Sequence, residues 1–228
     1  MAVEVNGYKI EPYANLAKAD LNKTNLAKAD LSGADLSDAN LDGANLRRAN
    51  LPEADLTGTN LRGADLTHAN LRGANLTHAD LLRANLFGAT LLRANLFGAN
   101  LTEADLLRAN LTGTNLIEAN LEGSDLNEAN MTGADLRNAN LPEANLEGAT
   151  LEGANLRNVN LRNANLNDAN LNDVDLTDAD LTDARLGGAN LTRADLTGAD
   201  LTGADLPGAD LIDAILTDAT MPDGTIHD

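Results

Sequence analysis

A five-residue period runs through almost the whole of this 228-residue chain. From Leu16 to Met221 every fifth residue is Leu or Met, at 42 positions, and the register never slips. The residue two before each of these central positions is Ala in 36 cases, and the residue directly before is Asp or Asn in 37. Since a strict repeat gives every unit the same local structure, this period constrains the fold more than any other feature.

A period of five fits neither an α-helix nor a flat strand. In a helix five residues turn through about 500°, so successive leucines would spread around the cylinder. In a strand five is an odd number, so successive leucines would alternate between the two faces of the sheet. A coil with one corner every five residues points each leucine at a common axis, and four such sides close a square of 20 residues.

Glycine and proline indicate where the corners lie. Of 19 glycines, 16 fall two residues after the central position, and Pro52, Pro142 and Pro207 fall one residue after it. Pro followed by Gly is the preference of the two central positions of a type II turn. The other 26 repeats carry a side chain at the second of these positions, so we expect them to use a different turn.

The repeat, read as A(D/N)LXX, closely resembles the pentapeptide-repeat family, as in ADLSG from Ala34 and ANLRR from Ala44 to Arg48. The resemblance covers about nine-tenths of the chain. It implies an all-β fold, a right-handed quadrilateral β-helix with the central Leu and the preceding Ala inside. The opening VNGYKIEPYANL and the ending MPDGTIHD are similar to the ends of cyanobacterial members.

The repeat count predicts the dimensions of this solenoid and its boundaries. Four repeats per coil give about ten and a half coils, with residue n stacked over n+20, and the strand spacing gives a rod ~50 Å long. We expect an N-terminal cap at residues 1–13, the β-solenoid at 14–223 and a C-terminal tail at 224–228. The expected cap side chains are Val3, Val5, Tyr8, Ile10 and Tyr13. Only Ile212, Ile215, Met221 and Ile226 are available at the other end, so an end-to-end homodimer is a possible partner arrangement.

Composition and charge exclude several classes of protein. There is no cysteine, no apolar run of the ~20 residues that span a bilayer, and no signal-peptide pattern at the start. We therefore expect a soluble cytoplasmic protein without membrane contact. The formal net charge of −19 opposes direct binding to nucleic acid, although it permits a protein partner.

No residues form a recognisable catalytic, cofactor or metal site. His68 and His78 are half a coil apart, so the square coil places them on opposite sides. Stacked carboxylates such as Asp175 with Asp195 could hold Ca²⁺, but Asp or Asn at this position is better explained by local bonds to the backbone. A straight solenoid with constant corners offers no natural pocket. The sequence predicts no enzyme, no cofactor and no metal.

The first candidate contact surface is an apolar band near the middle of the rod. It is formed by residues at the position directly after the central leucine, where other repeats are mostly polar: Leu82, Phe87, Leu92, Phe97, Leu107 and Ile117. An exposed aromatic and aliphatic band is typical of a protein contact. Local duplication of the repeat is the alternative explanation, because LLRANLFGAT and LLRANLFGAN are near copies.

The second candidate is the acidic half of the rod. Residues 14–118 carry 10 Lys/Arg and 12 Asp/Glu, a net charge of −2, whereas residues 119–223 carry 5 Arg and 20 Asp/Glu, a net charge of −15. Duplex DNA as long as this half, ~25 Å, carries ~15 charges. The candidate acidic surface is Asp175, Asp178, Asp180, Asp183, Asp195, Asp200, Asp205, Asp210 and Asp213.

The sequence thus predicts a non-catalytic structural or interaction protein that presents a rigid rod to an unidentified protein partner. The alternative follows from the resemblance, because some pentapeptide-repeat proteins imitate DNA and occupy DNA-binding enzymes such as gyrase. Those relatives favour Phe at the central position and have loops that interrupt the coil, and this chain has neither. The alternative is therefore a DNA-mimic regulator that binds a gyrase- or topoisomerase-like enzyme through the acidic half.

Overall fold

The computed structural model describes residues 3–228, and the repeats form a right-handed quadrilateral β-helix. Met1 and Ala2, part of the predicted cap, lie outside the described residues. Parallel bridges join the residue before each central position to the residue 20 further on, from Asn15 with Asp35 to Asp200 with Thr220. The predicted stacking of n over n+20 is confirmed.

The core is a column of leucine and alanine along the axis. Every central residue from Leu16 to Leu201 is buried, and so is nearly every alanine two positions earlier. Each buried leucine contributes ~1.5–3 kcal/mol before conformational entropy is subtracted. Because small and large side chains occupy fixed positions, one packing arrangement is repeated along the rod.

The coils are joined by backbone hydrogen bonds of constant direction. Each central N–H from Leu16 to Leu201 donates to the carbonyl 19 residues later, as Leu136 does to Asn155 at 2.7 Å. The N–H of each preceding Asp or Asn donates to the carbonyl 21 residues earlier, as Asp135 does to Thr114 at 2.9 Å. The rod therefore has a polarity, since its two ends leave different groups unbonded.

All corners share one backbone conformation, so the expectation of a second turn type is wrong. The residue two after each central position has a positive φ at every corner from Lys18 to Asp218. Side-chain-bearing corners such as Lys23 (52°) and His68 (56°) match glycine corners such as Gly63 (58°). The repeated fold imposes this left-handed conformation even where an L-residue is strained by it.

Polar residues at the alanine position are accommodated by internal hydrogen bonds. Thr59 is fully buried, and its hydroxyl donates to the carbonyl of Leu36 at 2.8 Å. The Ser124 hydroxyl donates to the carbonyl of Leu121 at 2.7 Å. No buried side-chain nitrogen or oxygen in the described chain lacks a partner, so these exceptions do not interrupt the core.

A hairpin covers part of the N-terminal end. Its strands, β1 (Val3–Val5) and β2 (Tyr8–Ile10), pair antiparallel. Ile10 is buried against the first coil, and the Asn6 amide donates to the carbonyl of Asp20 at 3.2 Å. The expectation that Tyr13 belongs to the cap is wrong, because its side chain is 81% exposed and it occupies the first corner, where its N–H donates to the carbonyl of Ser32.

The C-terminal end is covered less completely. The chain folds back after Met221, and Thr220 bridges Ile226 in antiparallel orientation. Ile212, Ile215 and Ile226 stay 49–67% exposed, and the leucines of the last coil are only half-buried. Within residues 3–228, no helix is long and apolar enough to cross a membrane.

Candidate interaction surfaces

The side chain of the polar residue before each central leucine is held by a hydrogen bond from the nearby backbone. In most repeats its side-chain oxygen accepts the N–H of the residue two further on, as Asp195 Oδ1 does from Thr197 at 3.0 Å. Where that residue is Thr, its hydroxyl bonds to the same oxygen, at 2.6 Å for Thr197. The predicted local bonding is confirmed, and the second carboxylate oxygen is left on the surface.

Asparagines extend this bonding between coils. The Asn160 amide donates to Asn140 Oδ1 at 2.7 Å, and Asn145 donates to Asp125 at 3.1 Å. Such ladders need an N–H donor in each pair. Stacked aspartates such as Asp175 with Asp195 cannot form one, so their carboxylates face each other without a shared hydrogen bond.

The apolar band is half-buried rather than exposed. All six members, Leu82, Phe87, Leu92, Phe97, Leu107 and Ile117, have intermediate exposure. Stacking by 20 residues brings Phe87 next to Leu107 and Phe97 next to Ile117, since Gly88 donates to the Leu107 carbonyl and Gly98 to that of Ile117, both at 3.0 Å. Each side chain of the band therefore presents only part of its surface.

Each phenylalanine packs against a histidine of the preceding coil. The ring centroids of His68 and Phe87 are 5.3 Å apart with an edge-to-face angle of 66°, and those of His78 and Phe97 are 5.5 Å apart at 69°. Each imidazole lies over a glycine corner, Gly88 or Gly98, where the missing Cβ leaves room. Two similar aromatic pairs therefore occupy opposite corners of the rod.

The candidate acidic residues surround the rod. Asp175 and Asp195 lie on one side, Asp180 and Asp200 on the next, and Asp205 and Asp210 on the other two. The remaining members occupy three corners: Asp178, Asp183 and Asp213. The structure thus brings together two stacked pairs and distributes the rest around the perimeter.

Two members of the acidic set are paired with arginines. Arg157 lies 3.6 Å from Asp175, and Arg162 lies 3.2 Å from Asp180. Partial burial raises the pKa of the Asp180 carboxyl, but hydrogen bonds from Thr182 and Arg162 outweigh burial and bring this pKa below its usual value. The other seven form no salt bridge with any described residue. Arg185, within this region, forms none either.

No described group of three His, Asp or Glu side chains converges closely enough to hold a metal ion. The expectation that the fold has no pocket is wrong at the N-terminal end, where an open hollow of about 410 Å³ lies between the hairpin and the first coil. Its lining includes Val5, Ile10, Leu26, Lys28 and Ala29. Periodicity could not reveal this hollow, because the hairpin that forms it lies outside the repeat.

Comparisons with known proteins agree with this geometry. A family model of pentapeptide repeats matches in eight copies, which together run from residue 14 to residue 218. No curated protein matches. Among solved structures, HetL, a pentapeptide repeat protein involved in heterocyst differentiation regulation from the cyanobacterium Nostoc sp. strain PCC 7120, is 39% identical over 92% of this chain and 94% of its own, with a TM-score of 0.69.

Two other similar structures are more distant. Trypsin-treated QnrB1, a plasmid-mediated fluoroquinolone resistance protein, is 19% identical over 86% of this chain and 83% of its own, with a TM-score of 0.49. A pentapeptide repeat protein from the Arabidopsis thaliana thylakoid lumen is 33% identical over 42% of this chain and 63% of its own, with a TM-score of 0.35.

Proposed function

Because this chain belongs to the pentapeptide-repeat family, we propose that it is a non-catalytic interaction protein that presents a rigid rod to a protein partner. Members of the family are generally non-enzymatic. The relative HetL is described as involved in regulation of differentiation, which favours a regulatory role for this chain as well. We extend the proposal to a cytoplasmic location.

The choice of the apolar band as the contact surface rests on one observation. The core and the corner conformation are the same throughout the rod, whereas both phenylalanines and the outward leucines and isoleucine of the band occur together between residues 82 and 117. An aromatic side chain that is half-buried in the free protein already has a fixed position, so little side-chain entropy is lost when a partner covers it. The band is therefore our proposed contact for the protein partner.

A double substitution in the band tests this proposal. Phe87→Asp with Phe97→Asp should abolish capture of the partner from the native host by an immobilised rod, while the circular dichroism spectrum stays unchanged. The control is Thr57→Asp with Thr132→Asp, which adds the same charges at the same turn position outside the band. Equal capture by both double variants would contradict the assignment of the band.

The acidic half supports a second candidate function, a DNA-mimic regulator of a gyrase- or topoisomerase-like enzyme. Its support is the concentration of 15 net negative charges in residues 119–223, with seven carboxylates of the candidate set outside any salt bridge. Binding of this kind should inhibit DNA supercoiling at micromolar protein and should disappear as salt is raised. An unchanged supercoiling rate at low salt would exclude it.

A further inference from the structure

The two ends of the rod have opposite chemistry at their corners. All four lysines of the protein lie between residues 9 and 28, and Lys18, Lys23 and Lys28 are three of the four corners of the first coil. The three side chains are exposed, and none takes part in a salt bridge with a described residue. Tyr13 is the fourth corner.

The opposite end carries only negative formal charge. Residues 204–228 contain six aspartates and no Lys or Arg, and Asp213 and Asp218 are corners of the last coil. Corner side chains lie over the next coil, as Asp183 lies over Gly203. By the same geometry, the carboxylates of Asp213 and Asp218 extend beyond the end of the rod.

Unbonded backbone groups at the two ends are complementary. At the C-terminal end the N–H groups of Leu206, Leu211 and Leu216 have no backbone acceptor among the described residues. Inside the rod, such N–H groups donate to the carbonyls of Asp or Asn in the next coil. In the first coil the carbonyls of Asn15 and Asp20 accept no backbone N–H of a described residue, so the N-terminal end of a second copy offers acceptors that a continuing coil would supply to Leu211 and Leu216.

We propose that this chain associates head to tail, with the C-terminal end of one copy seated on the N-terminal end of the next. One rotation about the common axis places Lys18 and Lys23 of one copy against Asp213 and Asp218 of the other. The same rotation sets the folded-back tail, with Ile226 67% exposed, opposite the hollow beside Leu26. Apolar burial supplies the attraction, and the charges select the orientation.

A symmetric contact satisfies fewer of these requirements. Joining two C-terminal ends would bring together two sets of six aspartates, and it would face unbonded N–H groups with a second set of the same kind rather than with the Asp and Asn carbonyls of a first coil. A head-to-tail contact leaves a free end on each side, so it produces open chains instead of closed dimers. This inference concerns self-association and involves neither the band nor a partner bound there.

Substitutions that reverse the charge at one end of the rod test the head-to-tail contact. One variant is Lys18→Glu with Lys23→Glu, and the other is Asp213→Lys with Asp218→Lys. Lysine suits these C-terminal corners, because Lys18 and Lys23 already adopt the same positive φ. By sedimentation equilibrium from ~10 µM to ~1 mM, the average mass of the 228-residue chain should rise past that of a dimer, whereas each variant alone should associate at least tenfold more weakly.

An equimolar mixture of the two variants should restore association, since each altered end then meets its complement. The same melting temperature in all three proteins shows that the rod is intact. A monomer at every concentration of the unaltered chain would overturn the proposal, and so would a mixture that remains monomeric. Dimers that persist in the Lys18→Glu, Lys23→Glu variant would assign the contact to two C-terminal ends.

Discussion

Residues 14–118 and residues 119–223 form equal lengths of rod with the same column of leucine and alanine, which is buried except in the last coil, yet their net charges are −2 and −15. The first half carries the apolar band and both aromatic pairs, and the second half carries most of the aspartates. Both have the same coil spacing and the same corner conformation. Because the core and the backbone maintain the fold alone, the surface of each half can change without altering the shape.

If the two halves share one core, truncating a central leucine should be equally harmful in both. Leu76 and Leu156 are each 0% exposed. Leu76→Ala and Leu156→Ala should each reduce the free energy of unfolding by about 2–5 kcal/mol, through lost burial and the cavity left behind. Chemical denaturation measures both, and Leu216→Ala in the half-buried last coil should have a smaller effect. A large difference between the first two variants would mean that the cores are not equivalent.

Salt should affect the two halves differently, because repulsion between carboxylates is stronger within residues 119–223 than within residues 14–118. Two unit charges about 5 Å apart in water interact by about 1 kcal/mol, and residues 119–223 contain stacked pairs such as Asp180 with Asp200. Raising sodium chloride from about 10 to about 500 mM screens these pairs. Amide hydrogen exchange should slow in residues 119–223 and stay nearly constant in residues 14–118. Equal responses in both halves would show that charge repulsion does not limit stability.

The period determined more of this structure than any other sequence signal. Leucine every five residues predicted the axis, the corners and the stacking by 20, because these depend only on local geometry that is repeated. It did not predict the common corner conformation, since Lys23 and His68 disfavour a positive φ and adopt it only because the stacked coils require it. Propensity at one residue was outweighed by hydrogen bonds from the neighbouring coils.

The surface was harder to predict than the core. The position after the central leucine faces outward, but neighbouring coils cover part of it, so even Thr57 and Thr112 are half-buried there and the band is half-buried too. The hollow beside Ile10 arises from a hairpin outside the repeat. The lysine corners had a readable signal, because no lysine occurs after residue 28.

Glycine corners should differ between the halves according to the side chain that lies over them. An added Cβ at Gly88 would lie 2.5 Å from His68 Nδ1, and one at Gly203 would meet Asp183 Oδ1. Gly88→Ala should cost about 1 kcal/mol for the left-handed backbone and a further ~0.5–1.5 kcal/mol for the displaced aromatic pair. The Asp183 carboxylate can rotate away, so Gly203→Ala should show only the backbone effect.

Thermal or chemical denaturation compares the two glycine variants, and Gly63→Ala provides the control, because nothing lies within 4 Å of its added Cβ. When His68 is already alanine, adding Gly88→Ala should cost only the backbone part of the free energy of unfolding, because no aromatic pair is left to displace. If Gly88→Ala were no more destabilising than Gly63→Ala, the aromatic pair would contribute nothing to the first half.

The smallest expected effect concerns the ion pairs between corners of consecutive coils. Arg83 lies 2.6 Å from Glu103, and Arg108 lies 2.6 Å from Glu128, so hydrogen bonds and charge attraction hold the pKa of each glutamate below its usual value. A carboxyl with a lowered pKa stabilises the fold above its unfolded value, and this contribution is lost as the pH falls through the folded pKa. Arg83→Gln should therefore raise the pKa of Glu103 and leave that of Glu128 unchanged in an NMR titration.

The same substitution should lower the melting temperature at pH 7 only slightly, because both side chains are solvent-exposed and water screens their attraction. Arg108→Gln is the matched variant, and it should raise only the pKa of Glu128. If either substitution lowered the melting temperature clearly, the corner ion pairs would be part of what holds the coils together. The surface of the rod could then not change independently of its core, and the difference in charge between the two halves would alter their stability.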